Sequence, residues 1–304
     1  MKKRGKLKLK VTAAFSLLIA ALIVFTAVLT AVRYKNGVYI TQFGNSGHSQ
    51  MMGYAVKTHG GKTILIDGGA DDDAQNAIDF IEKSGGKVDY WFITHPHKDH
   101  ASVIEDVIEN TDIEIDKILY TANETEWYEK YEPARANEAA RFYKAINNER
   151  ISKNCREVTL GENFDIDNVK ISILGVKNPE ITANAFNNSS MVFKMSVNGK
   201  SILFLGDTGA ESSEKLIDTY GAELASYAVQ MAHHGQNGGT EELYRLVSPK
   251  ICFWPTPDWL WENDSGSGKN TGPWKTLETR KWIEELGVRK NVIEKDGNQT
   301  VHIW

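Results

Sequence analysis

The chain has 304 residues, of which 41% are hydrophobic and 25% are charged, a composition typical of a folded globular protein and unlike that of a disordered one. The first 35 residues contain eight basic side chains and no acidic one, so removing them from the net charge of −5 leaves −13 for residues 36–304. A body this acidic does not attract nucleic acid through general electrostatics, so nucleic acid is a possible partner but not a favoured one.

The N-terminus has the pattern of a membrane anchor. Residues 1–10 form a basic segment, and residues 11–32 follow without a single charge. This run matches the roughly 20 apolar residues that span a bilayer and exceeds the roughly 7–15 residues of a signal-peptide core. We therefore expect a single-pass anchor in the cell membrane, with a cleaved signal and a secreted protein as the alternative. Because six basic residues precede the span and only Arg33 and Lys35 follow it closely, the rest of the chain is predicted to be extracellular.

The remainder of the chain is predicted to form one domain. Residues 33–36 form a short linker, and residues 37–304 contain no Pro/Gly/Ser-rich break before residues 264–272. In the first part of the domain, hydrophobic periodicity predicts an amphipathic helix and four strands. The helix covers residues 73–83, and the strands cover residues 38–43, 52–58, 62–66 and 87–94.

Farther along the chain, strands and helices continue to alternate. The dipeptide Asn198-Gly199 between two predicted strands indicates a tight hairpin. The remaining predicted strands are 117–120, 169–174, 191–197, 200–205, 225–231, 250–254, 291–294 and 300–304, and the remaining predicted helices are 101–110, 126–147, 211–220, 241–246 and 274–286. Strand pairs mixed with helices predict sheets that are covered by helices.

Four of the apolar runs end in side chains that can bind metals. "TILIDGG" leads to Asp67, "YWFITHPHKDH" to His95, "SILFLGD" to Asp207, and "YAVQMAHHG" to His233 and His234. If these strands share one layer of sheet, their polar ends meet at one edge, which is a common way to build a site.

The segment "THPHKDH" has the spacing of a metal site. His95 and His97 are two residues apart in extended chain, so their rings lie on the same side and can hold one ion. Asp99 and His100 come where the chain enters the next predicted helix, so they point from another direction and can hold a second ion. A bridging carboxylate is then expected, and Asp207 is the candidate. Imidazole and carboxylate ligands together suit zinc, with iron or manganese as alternatives.

These motifs resemble those of a known family. "THPHKDH" is similar to the H-x-H-x-D-H signature of the metallo-β-lactamase superfamily, and "IDGG" before it and "FLGD" after it follow the family's order. The resemblance spans about residues 38–304 and implies an α/β fold, an αββα sandwich with its metal site at the sheet edge. Within the superfamily, "NNSSMVFKM", "ILFLGD" and "AHHG" are similar to the hydrolase domain of the competence protein ComEC and, more loosely, to bacterial phosphorylcholine esterases.

The resemblance implies a role for each residue of the motifs. The implied metal ligands are His95 and His97 for the first ion, Asp99 and His100 for the second, Asp207 as the bridge and His234 as the last ligand. Asp99 or Asp207 would accept a proton from water. His233 is either a further ligand or a group that supports the ligands or donates a proton, and we favour the latter. Many relatives have a histidine where this chain has Asn187 and Asn188, which leaves the first ion short of a ligand.

Six further residues are candidates for shaping the site or binding substrate. They are Asp67, Asn188, Ser189, Trp254, Trp259 and Trp261. The aspartate is either a turn residue or a group that orients a ligand. Asn188 and Ser189, together with Ser190, either form a plain turn or offer an amide and hydroxyls to substrate oxygens. The tryptophans either pack their loop or line the cleft, where they would contact a sugar or a quaternary ammonium such as choline.

The predicted site has the chemistry of hydrolysis, since two ions activate a shared water and take up charge on the attacked centre without an organic cofactor. Our leading hypothesis is a membrane-anchored, extracytoplasmic metallohydrolase with two divalent ions, zinc or alternatively manganese. It would cleave phosphodiester bonds in an envelope polymer, phosphocholine or nucleic acid. The alternatives are a lactonase, thioesterase or β-lactamase, and an inactive binding module on the same fold. Cys155 and Cys252 could form one disulfide or stay free.

Overall fold

The computed structural model describes the backbone of residues 2–304 and the side chains of residues 15–304. Within this range two seven-stranded sheets lie face to face, and helices cover their outer faces. The predicted αββα sandwich is therefore confirmed.

The strands are β1 (Val38–Gln42), β2 (Gly53–Lys57), β3 (Thr63–Asp67), β4 (Lys87–Val88), β5 (Tyr90–Ile93), β6 (Glu114–Ile115), β7 (Ile118–Tyr120), β8 (Cys155–Glu157), β9 (Asn163–Ile166), β10 (Val169–Gly175), β11 (Val192–Val197), β12 (Lys200–Phe204), β13 (Ala228–Gln230), β14 (Ile251–Trp254), β15 (Lys290–Ile293) and β16 (Gln299–Ile303). The first sheet has the order β16-β1-β2-β3-β5-β7-β8, and the second has the order β15-β14-β13-β12-β11-β10-β9. β4 and β6 form a separate parallel pair.

The helices are α1 (Lys2–Lys35), α2 (Ala74–Lys83), α3 (Lys98–Asn110), α4 (Thr125–Tyr131), α5 (Ala136–Ile146), α6 (Ala210–Tyr220), α7 (Glu241–Val247), α8 (Asp258–Trp261) and α9 (Thr276–Glu285). α2, α3 and α5 cover the first sheet around Trp91 and Phe142. α6, α7 and α9 cover the second sheet around Leu216 and Ile283. Each sheet therefore has one face against helices and one face against the other sheet.

The core between the sheets is built from the inner faces of both. Tyr54 meets Phe204 and Phe253 edge-on, with ring centroids 5.5 and 6.0 Å apart. Phe92 stacks on Phe193 at 5.3 Å. All five side chains are buried, and burial of each phenylalanine contributes roughly 1.5–3 kcal/mol relative to exposure. This packing fixes the sheets against each other, so residues at their ends keep constant distances.

The strands that lead to the predicted ligands are divided between the sheets. β3 and β5 are parallel neighbours in the first sheet, and β12 and β13 are parallel neighbours in the second. The condition that the four strands share one layer of sheet is therefore not met. Their carboxyl ends nevertheless lie at the same end of the sandwich, so the candidate site is built across the gap between two sheets.

Several predicted elements differ from the observed ones. The predicted helix 126–147 is two helices, α4 and α5, with Pro133 between them, because proline lacks an N–H and restricts the residue before it. The predicted strand 87–94 is interrupted at Asp89, whose carboxylate accepts hydrogen bonds from Lys62 and from the backbone of Thr63. The hairpin at Asn198-Gly199 is confirmed between β11 and β12.

The N-terminal helix contains the apolar run. The most apolar 18-residue window within Phe15–Lys35 has a mean hydropathy of 2.6, and none of that window is buried against the rest of the chain. It is long and apolar enough to cross a membrane, and a signal sequence has the same properties. Residues 33–35, predicted as part of a linker, belong to the last turn of α1, so only Asn36 and Gly37 separate this helix from β1.

The two cysteines lie in different sheets. Cys155 is half-buried in β8 and Cys252 is buried in β14, and both are free thiols. The disulfide alternative is therefore wrong.

Candidate metal centre

The backbone at the strand ends turns sharply and directs the predicted ligands into one space. Asp67, His233 and His234 have φ values of 49°, 49° and 55°, in the left-handed region that few side-chain-bearing residues adopt. Gly206, just before Asp207, has a φ of 56°. A Cβ on Gly206 would lie 2.8 Å from that of Ser190, so only glycine fits this turn.

Two sets of side chains come close enough to hold a metal ion. The four-residue group consists of Asp99, His100, Asp207 and His234, and the three-residue group consists of His95, His97 and Asp207. All six residues are buried, and Asp207 belongs to both groups. The sequence motifs therefore identify residues that the fold brings together, and these residues could hold metal.

The interatomic distances show that Asp207 lies at the centre. Its Oδ2 atom is 3.2 Å from Nε2 of His100, 3.4 Å from Nε2 of His234 and 3.8 Å from Nε2 of His95. Nε2 of His234 also lies 3.3 Å from Oδ2 of Asp99. On the other side, Nε2 of His95 is 3.0 Å from Nδ1 of His97. The inward-facing nitrogens and oxygens thus converge from both sheets.

The inward-facing polar atoms are suited to a cation. Oδ1 of Asp99, Oδ1 of Asp207, and Nε2 of His100 and His234 are buried and have no hydrogen-bond partner among the described residues. Buried polar atoms in folded proteins almost always have a partner, because desolvation without one is costly. Carboxylate oxygens and imidazole nitrogens are ligands of divalent metals. The donor set therefore fits the divalent ions expected from the sequence.

α3 begins earlier than predicted, at Lys98 instead of residue 101. Asp99 and His100 therefore lie in its first turn, whereas His95 and His97 precede the helix in extended chain. The two pairs approach the site from different directions, as the spacing predicts. Asp99 near a helix N-terminus is also favourably placed with respect to the helix dipole.

Asp67 orients His100. Its Oδ2 atom is 2.8 Å from Nδ1 of His100, so the opposite nitrogen, Nε2, faces Asp207. Asp67 itself is held by Thr94, whose backbone N–H and hydroxyl donate to the two carboxylate oxygens at 2.7 Å each. A carboxylate behind a ligand histidine fixes its ring and increases its basicity. Of the two alternatives for Asp67, the geometry is that of an orienting group.

Ser190 and Glu132 support the three-residue group, and this role was predicted for neither of them. The Ser190 hydroxyl lies 3.3 Å from Nδ1 of His95 and accepts a hydrogen bond from the backbone N–H of Asp207 at 3.0 Å. Oε1 of Glu132 lies 3.7 Å from Nε2 of His97, whose ring stacks on Phe186 at 4.4 Å. A serine after "NNS" and a glutamate before Pro133 carry no sequence signal of these contacts.

Asp99 has neighbours at the mouth of the site that were also not predicted. Gln50 donates to its Oδ2 atom at 2.9 Å, and Gln236 donates to the side-chain oxygen of Gln50 at 3.0 Å. Arg135 is half-buried, is held by Glu138 through two hydrogen bonds of 3.1 Å, and lies 3.7 Å from Oδ1 of Asp99. The mouth therefore contains a guanidinium next to a ligand carboxylate.

The charges of the cluster shift its pKa values in opposite directions. Burial alone would raise the pKa of Asp207, but His100 and His234 hold it well below its usual value. Burial would lower the pKa of His100, but the carboxylates of Asp207 and Asp67 outweigh it and raise this pKa to about 10. Burial and the charge of His100 hold the pKa of His95 well below its usual value. In the protein alone, His100 is therefore protonated at neutral pH and His95 is neutral.

His233 lies beside the ligands and belongs to neither group. It is half-buried, and its Nε2 atom is 3.2 Å from the side-chain nitrogen of Asn187. Its Nδ1 atom and the side-chain oxygen of Asn187 have no partner among the described residues. This arrangement is that of the supporting alternative, with two polar side chains next to the cluster.

Asn188 and Ser189 are used inside the protein. The side-chain oxygen of Asn188 accepts hydrogen bonds from Gly209 and Ser212 at the start of α6, and its nitrogen donates to Ala183 and Glu211. Ser189 accepts a hydrogen bond from Asn123 at 2.9 Å. Both are fully buried. Asn188 therefore holds the start of α6 after Asp207, and Ser189 holds the segment around Asn123, which favours the turn alternative over contact with substrate.

Trp254 and Trp261 pack against their own region, which favours the packing alternative over the cleft-lining one. Trp254 is buried in β14 and donates to Asn291 at 2.8 Å. Trp261 meets Trp254 edge-on at 5.3 Å and has the guanidinium of Arg280 4.0 Å above its ring. Trp259 is half-buried and donates to the backbone carbonyl of His48 at 2.8 Å. Trp259 therefore ties two surface loops together.

Comparisons with known proteins find a family and a fold. Residues 52–251 match the family model described as the metallo-beta-lactamase superfamily. This match covers well over half of the chain. It includes every residue of both ligand groups, which lie within residues 95–234. No curated protein sequence matches significantly.

Several solved structures are similar at low identity. The metallo-beta-lactamase fold protein YhfI from Bacillus subtilis superposes with a TM-score of 0.53 and 9% identity, over 88% of this chain and 100% of that one. Zn(2+)-bound PqqB from Methylobacterium extorquens gives 0.52 and 10%, over 87% and 100%. CmlA, a diiron beta-hydroxylase from Streptomyces venezuelae, gives 0.52 and 12%, over 88% and 54%. At these identities the likeness shows the fold alone.

Proposed function

This chain belongs to the metallo-β-lactamase superfamily, whose members are mostly metal-dependent hydrolases, and we propose that it is a membrane-anchored, extracytoplasmic hydrolase of phosphodiester bonds. The observation that carries the proposal is the pair of ligand groups that share Asp207. Two ions about 3.5–4 Å apart are a recurring arrangement in enzymes that hydrolyse phosphate esters.

The four-residue group would hold one divalent ion and the three-residue group a second, with Asp207 between them. Zinc suits this mixture of imidazole and carboxylate, and manganese is the alternative. When bound, the ions supply Lewis acidity, which lowers the pKa of water and neutralises charge on the phosphoryl oxygens. Similar folds hold zinc in PqqB and iron in CmlA, so the metal must be identified by measurement.

The chain's own side chains would perform the remaining steps. Asp99, held by Gln50 at 2.9 Å, would accept the proton of the attacking water, and Asp207 is the alternative acceptor. Arg135, next to Asp99, would bind phosphoryl oxygens, since a guanidinium matches their geometry. His233 would donate a hydrogen bond or a proton to the leaving oxygen.

Two observations favour phosphodiesters over other substrates of the fold. The motifs around Asp207 and His234 are similar to those of the ComEC hydrolase domain, and Arg135 gives the mouth of the site a cation for an anionic ester. A lactonase, thioesterase or β-lactamase, and an inactive binding module, remain the competing functions. The substrate would be an envelope polymer or phosphocholine, with nucleic acid less favoured because residues 36–304 carry a charge of −13.

The decisive experiment uses the full chain purified in detergent. Metal content is measured first, and the protein is then tested on bis-p-nitrophenyl phosphate, p-nitrophenyl phosphorylcholine, single-stranded DNA and nitrocefin, with and without chelator. We expect phosphodiester hydrolysis that requires metal and is lost in His97→Ala. His59→Ala is the matched control, because His59 is exposed and outside both groups. Hydrolysis of nitrocefin alone, or no turnover with metal bound, would refute the proposal.

The membrane anchor is tested separately. We propose that α1 is retained and that its basic N-terminus is cytoplasmic. The mass of the mature protein distinguishes an intact N-terminus from a cleaved one. Protease added to intact cells should digest residues 36–304 and leave the N-terminal segment protected, whereas release of the protein into the medium would support a cleaved signal.

A further inference from the structure

The base of the sandwich, which is the end opposite the metal site, holds the end of α1. The carbonyl of Asn36 accepts hydrogen bonds from the side-chain amides of Asn168 and Asn198, at 2.5 and 3.1 Å. Asn198 also donates to the carbonyl of Arg33 at 2.9 Å. These asparagines lie in the β9–β10 and β11–β12 turns. Two turns of the second sheet therefore form hydrogen bonds with the C-terminal end of α1.

The first sheet closes the junction from the other side. Gly37 lies so near β16 that a Cβ would be 2.4 Å from Nε2 of His302 and 2.6 Å from the carbonyl oxygen of Ile303. Asn36 is held by hydrogen bonds and Gly37 is packed against β16, so both residues that connect α1 to β1 are fixed by contacts with the sandwich. The helix and the sandwich are therefore joined by a packed contact and not by a flexible linker.

Aromatic side chains surround this junction and form what we call the collar: Tyr34, Tyr39, His302 and Trp304. Tyr34 meets His302 and Trp304 edge-on at 4.5 and 5.5 Å, and Tyr39 stacks on His302 at 4.3 Å. Lys200 lies 5.1 Å above the Trp304 ring. Tyr34 and Tyr39 are still 50% and 47% exposed. Tyrosine, tryptophan and lysine are the residues that favour the boundary between lipid and water.

The collar and the metal site lie at opposite ends of the same strands. β12 starts at Lys200, beside the collar, and the chain reaches Asp207 seven residues later. At roughly 3.3 Å per residue, this separation is on the order of 20–25 Å. The carboxyl ends of β3, β5, β12 and β13 all point away from the collar.

We propose that the collar rests in the headgroup layer of the membrane and that the gripped α1 fixes the sandwich upright, with its metal site facing away from the bilayer. The site then acts on phosphodiesters that stand above the surface, such as those of an envelope polymer, and does not reach the headgroups of its own leaflet. The orientation follows from the junction and from the apolar helix. The statement about substrates rests on the proposed phosphodiesterase function.

Orientation is tested with the full chain in phosphatidylcholine–phosphatidylglycerol vesicles that contain lipids with nitroxide headgroups. A fluorophore is attached at His59→Cys or Ser267→Cys in a Cys155→Ser background. His59 is at the base, where its N–H donates to Asn168 at 3.1 Å, and Ser267 is exposed in the loop that follows α8 at the metal end. We expect quenching several-fold stronger at position 59. Equal quenching at the two positions would overturn the proposed orientation.

The hydrogen bonds that hold the end of α1 are tested separately. Asn168→Ala with Asn198→Ala removes the hydrogen bonds to Asn36 and Arg33 and should let the sandwich tilt, so that quenching at position 267 rises. Asn110→Ala, an exposed asparagine on α3, is the matched control and should change nothing. Unchanged quenching in the double variant of a protein that remains folded would show that the junction does not set the orientation.

Substrate reach is tested in the same vesicles. Glycerophosphocholine in solution and phosphatidylcholine in the bilayer present the same phosphodiester with and without lipid chains. We expect the bilayer form to react on the order of a hundredfold more slowly or not at all, because it cannot reach the reactive position. Equal rates would refute the proposal about substrates. If neither these esters nor bis-p-nitrophenyl phosphate reacts, the phosphodiesterase function fails while the quenching result still decides the orientation.

Discussion

The two ligand groups share Asp207 but differ in what lies behind their other ligands. In the four-residue group, His100 is backed by the carboxylate of Asp67 at 2.8 Å, and His234 by the carbonyl of Pro255 at 2.8 Å. These contacts orient both rings with their Nε2 atoms towards Asp207.

The three-residue group is held more weakly. His95 has hydroxyl groups behind it, from Thr94 at 3.1 Å and Ser190 at 3.3 Å, and His97 has Glu132 at 3.7 Å. Hydrogen bonds to a charged partner are roughly twice as strong as neutral ones. Ligand number and ligand support therefore both favour the four-residue group, and we expect this group to bind its ion more tightly.

Replacing Asp207 removes the feature that the two groups share and should have the largest effect. Asp207→Ala should lose both ions and all metal-dependent turnover, because each group then lacks its central carboxylate. Metal analysis and phosphodiester assays measure this. Asp218→Ala, an exposed aspartate on α6, is the control and should retain both. A variant at Asp207 that kept two ions would show that the groups are independent.

Removing one histidine from either group allows the metal affinity of the other group to be measured by itself. His97→Ala should keep one ion that resists chelator, because the four-residue group stays intact. His234→Ala should keep at most one weakly bound ion. Competition with a chromophoric chelator gives the two dissociation constants. If His97→Ala retained the weaker ion, the order of affinity would be the reverse of the one expected here.

Lowering the pH should affect the four-residue group more than the other. The pKa of His100 is about 10 in the protein alone, so at neutral pH an ion must displace its proton. Each displaced proton weakens binding by up to about tenfold per pH unit as the pH falls. His95, whose pKa is held well below its usual value, adds no such proton. Metal titrations of His97→Ala and His234→Ala between about pH 6 and pH 8, within the range where ordinary histidines change charge, should give a steeper pH dependence of metal affinity for His97→Ala.

The smallest effects should come from the residues behind the ligands. Asp67→Asn should weaken the four-residue group by roughly 10–100-fold, the usual effect of losing a carboxylate behind a ligand histidine. Glu132→Gln should weaken the three-residue group by less, because Glu132 is 3.7 Å from His97 and half-exposed. Metal affinity and a thermal melt of each metal-free variant distinguish lost orientation from lost folding. Equal losses of affinity would contradict the difference in support.

The clustering of the candidate ligands could be predicted from the sequence because their signal is local. His95, His97, Asp99 and His100 lie within six residues, and the strand pattern before them marks where the sheet ends. Asp207 could be found for the same reason, from a strand followed by Gly-Asp. Whether all these strands share one layer could not be predicted, because alternation of polar and apolar residues does not say which strands pair.

The supporting residues could not be predicted because their contacts depend on the packing of distant segments. Ser190 is 95 residues from His95, and Gln50 is 49 residues from Asp99. Trp254 is different, since it stands at the end of a predicted strand and its burial follows from that position. The aromatic residues that follow Trp254 in the sequence had left a cleft-lining role open. β14, however, lies between two other strands, and Trp254 is only 1% exposed.

Because the candidate ligands come from both sheets, export, folding and metal binding must follow one another in a set order. Asp67 and the histidines of "THPHKDH" come from the first sheet, and Asp207 and His234 come from the second, so neither half of the chain contains a complete site. If export begins at the anchor, as proposed, the first ligands cross the membrane while the last are still being synthesised. The ion is then captured only after both sheets have folded outside. On this proposal its supply would be the metal of the extracellular medium, and a protein made in metal-poor medium should complete its fold while its site holds no metal.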